Sequence, residues 1–261
     1  MSHIYSDTFF DYINQSARAS AKPFVSLLFP LLKPTTVIDL GSGRGVWMDE
    51  WRKGGAEDVL AVDGDYVDRA QLAVAPEQFM AADLTKPVKT GRRFDLAQSL
   101  EVGEHLPTEA SEVLVDSLTR ASDRVLFSAA VTGQGGEFHV NEQPLSFWQD
   151  LFAAKGYVAY DCVRPALKDN KDIAPWYRYN AILYVNEAGR VGLPEEVLTT
   201  EIPAGQKVQP AGSIGWRLRR GVVSAMPEAM VTKIAQARAA VIARQARAAG
   251  LVSAGSAKGT M

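Results

Sequence analysis

The sequence predicts an α/β fold: a Rossmann-like, largely parallel sheet with helices on both faces. Three observations predict it. At residues 37–40 a run of Val, Ile, Asp and Leu enters a turn with glycine at every second position, Gly41, Gly43 and Gly45, and a helix-like run (46–53) follows at once. About 20 residues beyond that turn, a second strand-like run ends in an acid, Asp63. From there to residue 186, strand-like and helix-like segments alternate with short links.

The glycine turn comes first. Strand, glycine turn and helix bring backbone N–H groups and a helix N-terminus up to a ligand. A dinucleotide fingerprint reads G-x-G-x-x-G. Here Val46 stands where its third glycine would be, which disfavours an NAD-dependent dehydrogenase. An acid, Asp39, lies two residues before the first glycine. The run Asp39-Leu40-Gly41-Ser42-Gly43-Arg44-Gly45 closely resembles motif I of the class I S-adenosylmethionine-dependent methyltransferases. The resemblance covers about residues 35–186. It implies that Asp39, Gly41, Gly43 and Asp63 hold S-adenosyl-L-methionine, with Asp63 accepting both ribose hydroxyls.

The remaining elements follow in order. Residues 1–35 read as a helical lead-in, with a segment over 21–32 broken by Pro23, Pro30 and Pro34. Tyr5, Tyr12 and Arg18 are candidate pocket residues there. Trp47 and Trp51, one turn apart, read as core. The second strand spans 58–65, with Asp65 as a helix-start residue for a helix over 66–75. A third strand over 78–82 ends at Asp83-Leu84. In the family this acid often bonds the adenine amino group while its neighbour packs on the ring, which implies those roles for Asp83 and Leu84. Residues 94–101 form the fourth strand, resembling the family's motif IV. A helix (108–120), a fifth strand (124–129), a helix (145–155) and two last strands (157–164 and 179–185) complete the domain. The family order makes the last strand antiparallel. The intervening loop, 165–176, reads as an acceptor-side lid.

Composition narrows the classes. Hydrophobic residues at 47% and charged residues at 22% are ordinary for a soluble globular protein, and the net charge of -2 gives no global nucleic-acid or membrane signature. A single cysteine, Cys162, suits a reducing compartment and reads as core. Nothing near Met1 resembles a signal peptide, and no run is apolar and long enough to span a bilayer. The expected location is cytoplasmic, with membrane association as the variant.

Methyl transfer to an alcohol needs a general base or a metal that acidifies the hydroxyl. Titratable residues at the carboxyl ends of strands four and five are therefore the ones that matter. They are Glu101-Val102-Gly103-Glu104-His105 and His139, so two of the three histidines fall on the expected rim. The E-x-x-E-H run with a later histidine resembles the metal site of small-RNA 3′-terminal 2′-O-methyltransferases. A related run occurs in ubiquinone-pathway O-methyltransferases. The resemblance implies Glu101, Glu104, His105 and His139 as ligands to a divalent ion. Mixed oxygen and nitrogen donors favour Mg2+ or Mn2+. Without a metal, His139 or His105 acts as base, with Glu104 beside them. Glu142 and Gln143 read as binding acceptor hydroxyls or capping the next helix. His139-Val140-Asn141-Glu142-Gln143-Pro144, then Phe147-Trp148, also looks like methyltransferases of bacterial polysaccharide and glycoside clusters. The expected reaction is O-methylation of a sugar, nucleotide-sugar or glycosylated small molecule.

The chain divides into a lead-in (1–35), a cofactor-binding domain (36–187), a polar linker or surface wrap (188–212) and a basic helical tail (213–261). Over 214–249 the tail sets Arg217, Arg219, Arg220, Lys233, Arg238, Arg244 and Arg247 against Glu228 alone. Val222, Met226, Met230, Ile234 and Val241 are spaced as one face. Docking on its own domain or on a second copy (a homo-oligomer) ranks first. A membrane-surface contact ranks second. Nucleic acid ranks third, because there is no aromatic interleaving beyond Trp216. An RNA 2′-O-methyltransferase is the rival enzyme, disfavoured by the near-neutral charge. A non-catalytic scaffold is the rival from another class, disfavoured by the intact Asp39, Gly41, Gly43 and Asp63.

Overall fold

A computed structural model describes residues 7–227, 230–235, 237 and 241, with side chains from Ala17 onward. Seven strands form one sheet in the order β3-β2-β1-β4-β5-β7-β6. They are β1 (Thr36–Leu40), β2 (Asp58–Asp63), β3 (Phe79–Ala81), β4 (Leu96–Leu100), β5 (Arg124–Ser128), β6 (Val158–Tyr160) and β7 (Ile182–Val185). Strands β1 to β5 pair in parallel; β7 is antiparallel to both β5 and β6, as the family order implies.

Period-two alternation assigns each strand's side chains to two separate cores. Val37, Leu96, Leu126 and Leu183 face one cluster, built with Phe24, Leu28, Trp47, Trp51, Val163 and Tyr177. Ile38, Ala97, Phe127 and Tyr184 face the other, built with Leu114, Leu118, Trp148 and Phe152. The first face is covered by α1 (Asp7–Leu32), α2 (Val46–Gly54), α5 (Val163–Leu167) and α6 (Pro175–Asn180), the second by α3 (Ser111–Ala121) and α4 (Leu145–Ala153). Helices therefore lie on both faces. Trp47, Trp51 and Cys162 are core residues, as expected.

Several boundaries differ from expectation. Helix α1 runs unbroken through Pro23 and Pro30. Burial of Phe24, Val25, Leu28 and Leu32 outweighs the missing hydrogen bonds. The helix expected at 66–75 is a single 3-10 turn, Arg69–Gln71, capped by Asp68 rather than Asp65. The strand expected at 157–164 stops at Tyr160 and turns into α5, and the expected lid loop shrinks to residues 168–174 between α5 and α6. Buried Leu167, Ile173 and Tyr177 pin that stretch against α1. Residues 188–212 carry a 3-10 turn (Ala188–Arg190) and α7 (Glu195–Leu198), and bury Leu193, Val197 and Val208. The tail opens with α8 (Ile214–Ser224); Pro227 interrupts it, and 230–235 are helical again. Tyr5, the side chain of Tyr12 and much of the tail beyond 235 lie outside the described residues. Arg18 borders an open surface groove of about 500 Å³ with Lys22, Ser26 and Asp172.

Candidate active site

The glycine turn and Asp63 form one unit. Gly41, Gly43 and Gly45 all have positive φ. A Cβ on Gly41 would lie 2.3 Å from Val102 Cγ2, whereas one on Gly43 would meet nothing within 4 Å. The amides do not point outward as expected. Gly41 and Ser42 N–H both donate to Val62 O (2.8 and 3.1 Å), and Gly43 N–H donates to Asp63 Oδ2 at 2.6 Å. The turn is thus laced to the end of β2. Asp63 Oδ1 accepts from Gly64 N–H (2.6 Å) and from the Tyr66 hydroxyl (2.5 Å).

Asp39 lies beside this unit on β1, 2% exposed. Gln98 bridges inward: Trp51 Nε1–H donates to its Oε1 (2.8 Å) and its Nε2 donates to Asp39 Oδ2 (3.2 Å). Asp39 Oδ1 has no partner. Burial first, then the charge of Asp63, pushes the Asp39 carboxyl up to about 8. Asp83 closes the end of β3, its carboxylate half-exposed and tied to Thr85 and Lys86. Leu84 packs into the core on the α3 side.

The second group sits at the ends of β4 and β5. Glu101 leaves β4 with φ of 58°, unusual for a non-glycine residue. Its Oε2 accepts from Gln134 Nε2 at 2.7 Å, and Asn180 Nδ2 donates to Gln134 Oε1 at 2.8 Å. A 3-10 turn (Gly103–His105) follows, seated on Trp148: a Cβ on Gly103 would lie 2.6 Å from that ring. Glu104 is 1% exposed. Glu101 Oε1 and Glu104 Oε2 are both buried without partners. Burial raises both carboxyls, and Glu101 pushes Glu104 up further by like charge.

Glu104, His105 and His139 bring one potential ligand atom each to within 4.8 Å of one another. The imidazoles meet edge-to-face with centroids 5.0 Å apart. Burial, aided by His139, pushes His105 down to about 3, so it is neutral and offers a lone pair. His139 Nδ1 lies 2.8 Å from Glu142 Oε1. The Glu142 carboxylate also accepts from Gly133 N–H (2.8 Å) and Gly135 N–H (2.6 Å). Burial raises the Glu142 carboxyl, but these contacts outweigh it and hold it below its ordinary range. An ionised carboxylate only accepts, so His139 Nδ1 donates and its Nε2 is left as base or ligand.

The sequence reading missed Gln134 and Asn180, which hold Glu101. Of the two roles expected for Glu142, the helix cap is absent, since α4 begins after Pro144 with no side-chain cap, and Glu142 lies against His139 Nδ1. The available signal was the three-residue step from His139 to Glu142 beside Gly133-x-Gly135.

Comparison with known proteins bears on the fold. No family model matches the sequence, and no curated protein matches it. Among solved structures, an O-methyltransferase family protein from Burkholderia thailandensis superposes with a TM-score of 0.51 at 13% identity over 70% of this chain and 61% of its own. Streptomyces venezuelae DesVI gives 0.50 at 13% identity over 67% of this chain and 95% of its own. Human N-acetylserotonin methyltransferase, solved in complex with SAM, gives 0.45 at 16% identity over 68% and 55%. The chain thus spans about six tenths or less of the Burkholderia and human proteins it resembles. Its fold is that of the class I S-adenosylmethionine-dependent methyltransferases.

Proposed function

We propose that the protein is an S-adenosylmethionine-dependent O-methyltransferase. Its acceptor is a hydroxyl of a sugar, nucleotide-sugar or glycosylated small molecule, and a divalent metal assists. One observation carries this reading. Beside the glycine turn and its two acids, at the carboxyl ends of the neighbouring strands, Glu104, His105 and His139 come together.

The residues suit the cofactor. Gly43 presents open Cα surface, Asp63 stands at the end of β2, and buried Asp39 Oδ1 lacks a partner that a cationic or hydroxyl-bearing ligand would supply. When bound, S-adenosylmethionine supplies a methyl carbon on a sulfonium sulfur. Transfer of that methyl to the acceptor oxygen would leave S-adenosylhomocysteine, and the hydroxyl proton would have to go to a base of this chain. The residues suit a metal too: Glu104 Oε2 is buried and unpartnered, and His105 is neutral. Mg2+ or Mn2+ held by Glu104, His105 and His139, with Glu101 adjoining, would lower the acceptor's pKa. Without the ion, His139 Nε2 takes the proton, the ring held in place by Glu142 at Nδ1.

The test is calorimetric titration of Mn2+ into protein saturated with S-adenosylhomocysteine, with Glu104→Ala alongside. Saturable binding lost in the variant supports the metal. Binding of S-adenosylhomocysteine with no Mn2+ uptake leaves His139 as the base. Failure to bind S-adenosylhomocysteine at all sinks the whole reading.

A further inference from the structure

The carboxyl-terminal helices present an apolar surface that the proposed chemistry does not use. Along α8, Ile214, Leu218 and Val222 follow one another at four-residue steps and are 80%, 67% and 59% exposed. In the second helical stretch Met230 and Ile234 lie one turn apart and are exposed, as is Val241 beyond it. The opposite side of α8 is seated. Trp216 is buried against Gly212 and Tyr179. Arg219 Nη1 donates to Gln134 O at 2.8 Å, and Arg220 Nη2 donates to Thr132 O at 2.7 Å. Both stretches set a valine, Val223 and Val231, against Gly135. The apolar lines are therefore the faces left over after docking.

Charge identifies what suits them. From residue 213 onward the sequence has eight basic residues (Arg217, Arg219, Arg220, Lys233, Arg238, Arg244, Arg247 and Lys258) and one acid, Glu228, while the rest of the chain is net acidic. Two such tails packed face to face would repel, with Glu228 alone to set against eight basic residues in each. An apolar stripe beside Arg217, on a tail rich in basic residues and almost free of acids, suits the headgroup region of an anionic bilayer. No helix among the described residues is long and apolar enough to cross a membrane, so such a helix lies on the surface. We propose that α8 and the stretch after it dock this protein on an anionic lipid surface. Because α8 rests on the 131–135 loop, docking sets the candidate active-site rim next to the lipid.

The inference stands apart from the methyltransferase reading and is tested without it. Full-length protein is sedimented with vesicles of phosphatidylcholine alone and of phosphatidylcholine mixed with phosphatidylglycerol. The expected result is roughly tenfold or greater preference for the anionic vesicles, weakened by salt. A Leu218→Glu/Ile234→Glu variant, altered only at exposed positions, is expected to lose that binding while keeping its melting temperature; Arg217→Glu is expected to weaken it. Equal binding to both vesicles, binding that survives the double variant, or no binding overturns the proposal. The last of these outcomes would leave the face to a protein partner. A dimer seen by light scattering and abolished by Leu218→Glu, with no vesicle binding, would assign the face to a second copy.

Discussion

Asp63 shows how a single carboxylate can build a site before it binds anything. It holds the Gly43 amide, the Gly64 amide and the Tyr66 hydroxyl at once, so it fixes the turn that would carry the cofactor. Asp63→Ala is expected to weaken S-adenosylhomocysteine binding roughly 10- to 100-fold by calorimetry, the worth of charge-assisted hydrogen bonds. Asp39 works differently. Its folded pKa, about 8, stands well above its ordinary value of 3.8. The folded state therefore binds the proton more tightly than the unfolded chain, and Asp39 withdraws stability as pH climbs between those values. Asp39→Asn is expected to raise the melting temperature by at least about 4 °C at about pH 8, to change it little near pH 4, and to abolish cofactor binding. Both acids were legible from their places before the turn and at the end of the next strand. Gln98, the partner of Asp39, was not, because a hydrogen bond across 59 residues leaves no mark in local sequence.

Among the elements, the 131–135 loop and α8 fit each other tightly. A Cβ on Gly133, at φ of 78°, would lie 2.6 Å from Arg220 O, and one on Gly135 would press on Val223 and Val231. Gly133→Ala is expected to cost about 1–3 kcal/mol, read from denaturant unfolding. It should also speed tryptic cleavage at Arg217 to Arg220 by loosening α8. In the sequence Gly133 and Gly135 read only as a flexible loop, because which glycines take a neighbour's backbone depends on a helix some 85 residues later. The same limit explains the errors at α5, α6 and the 3-10 turn. Strands with strict alternation announced themselves, whereas short amphipathic stretches took their form from what they pack against. The prolines of α1 failed as breakers for that reason.

For the whole molecule, the carboxyl ends of the parallel strands concentrate buried acid. Asp39, Asp63, Glu101 and Glu104 are all raised, chiefly by burial. Each binds its proton more tightly folded than unfolded, so stability is expected to fall as pH rises from the ordinary carboxylate range toward about 8. Thermal melts should drop by roughly 5 °C or more between about pH 5 and about pH 8. At the upper pH, Mn2+ should restore part of the loss in the wild type and none in Glu104→Ala. A flat profile would mean that these acids are solvated or paired in solution. The strand order and this crowding of acids at one end of the sheet both followed from the first glycine turn. The neutral state of His105 did not, since it depends on burial beneath the Phe138 loop.

Arg219 and Arg220 grip main-chain oxygens of the 131–135 loop, not its side chains. A grip on backbone is indifferent to residue identity. Thr132 can be exchanged for other residues without unseating the helix, so long as Gly133 and Gly135 keep their conformation. The tail is in that sense a portable part. Grafted onto another chain of this architecture with the same two glycines, it should take the same seat and bring its apolar stripe with it. Retuning the rim for a new acceptor and keeping the anchor become separate engineering problems.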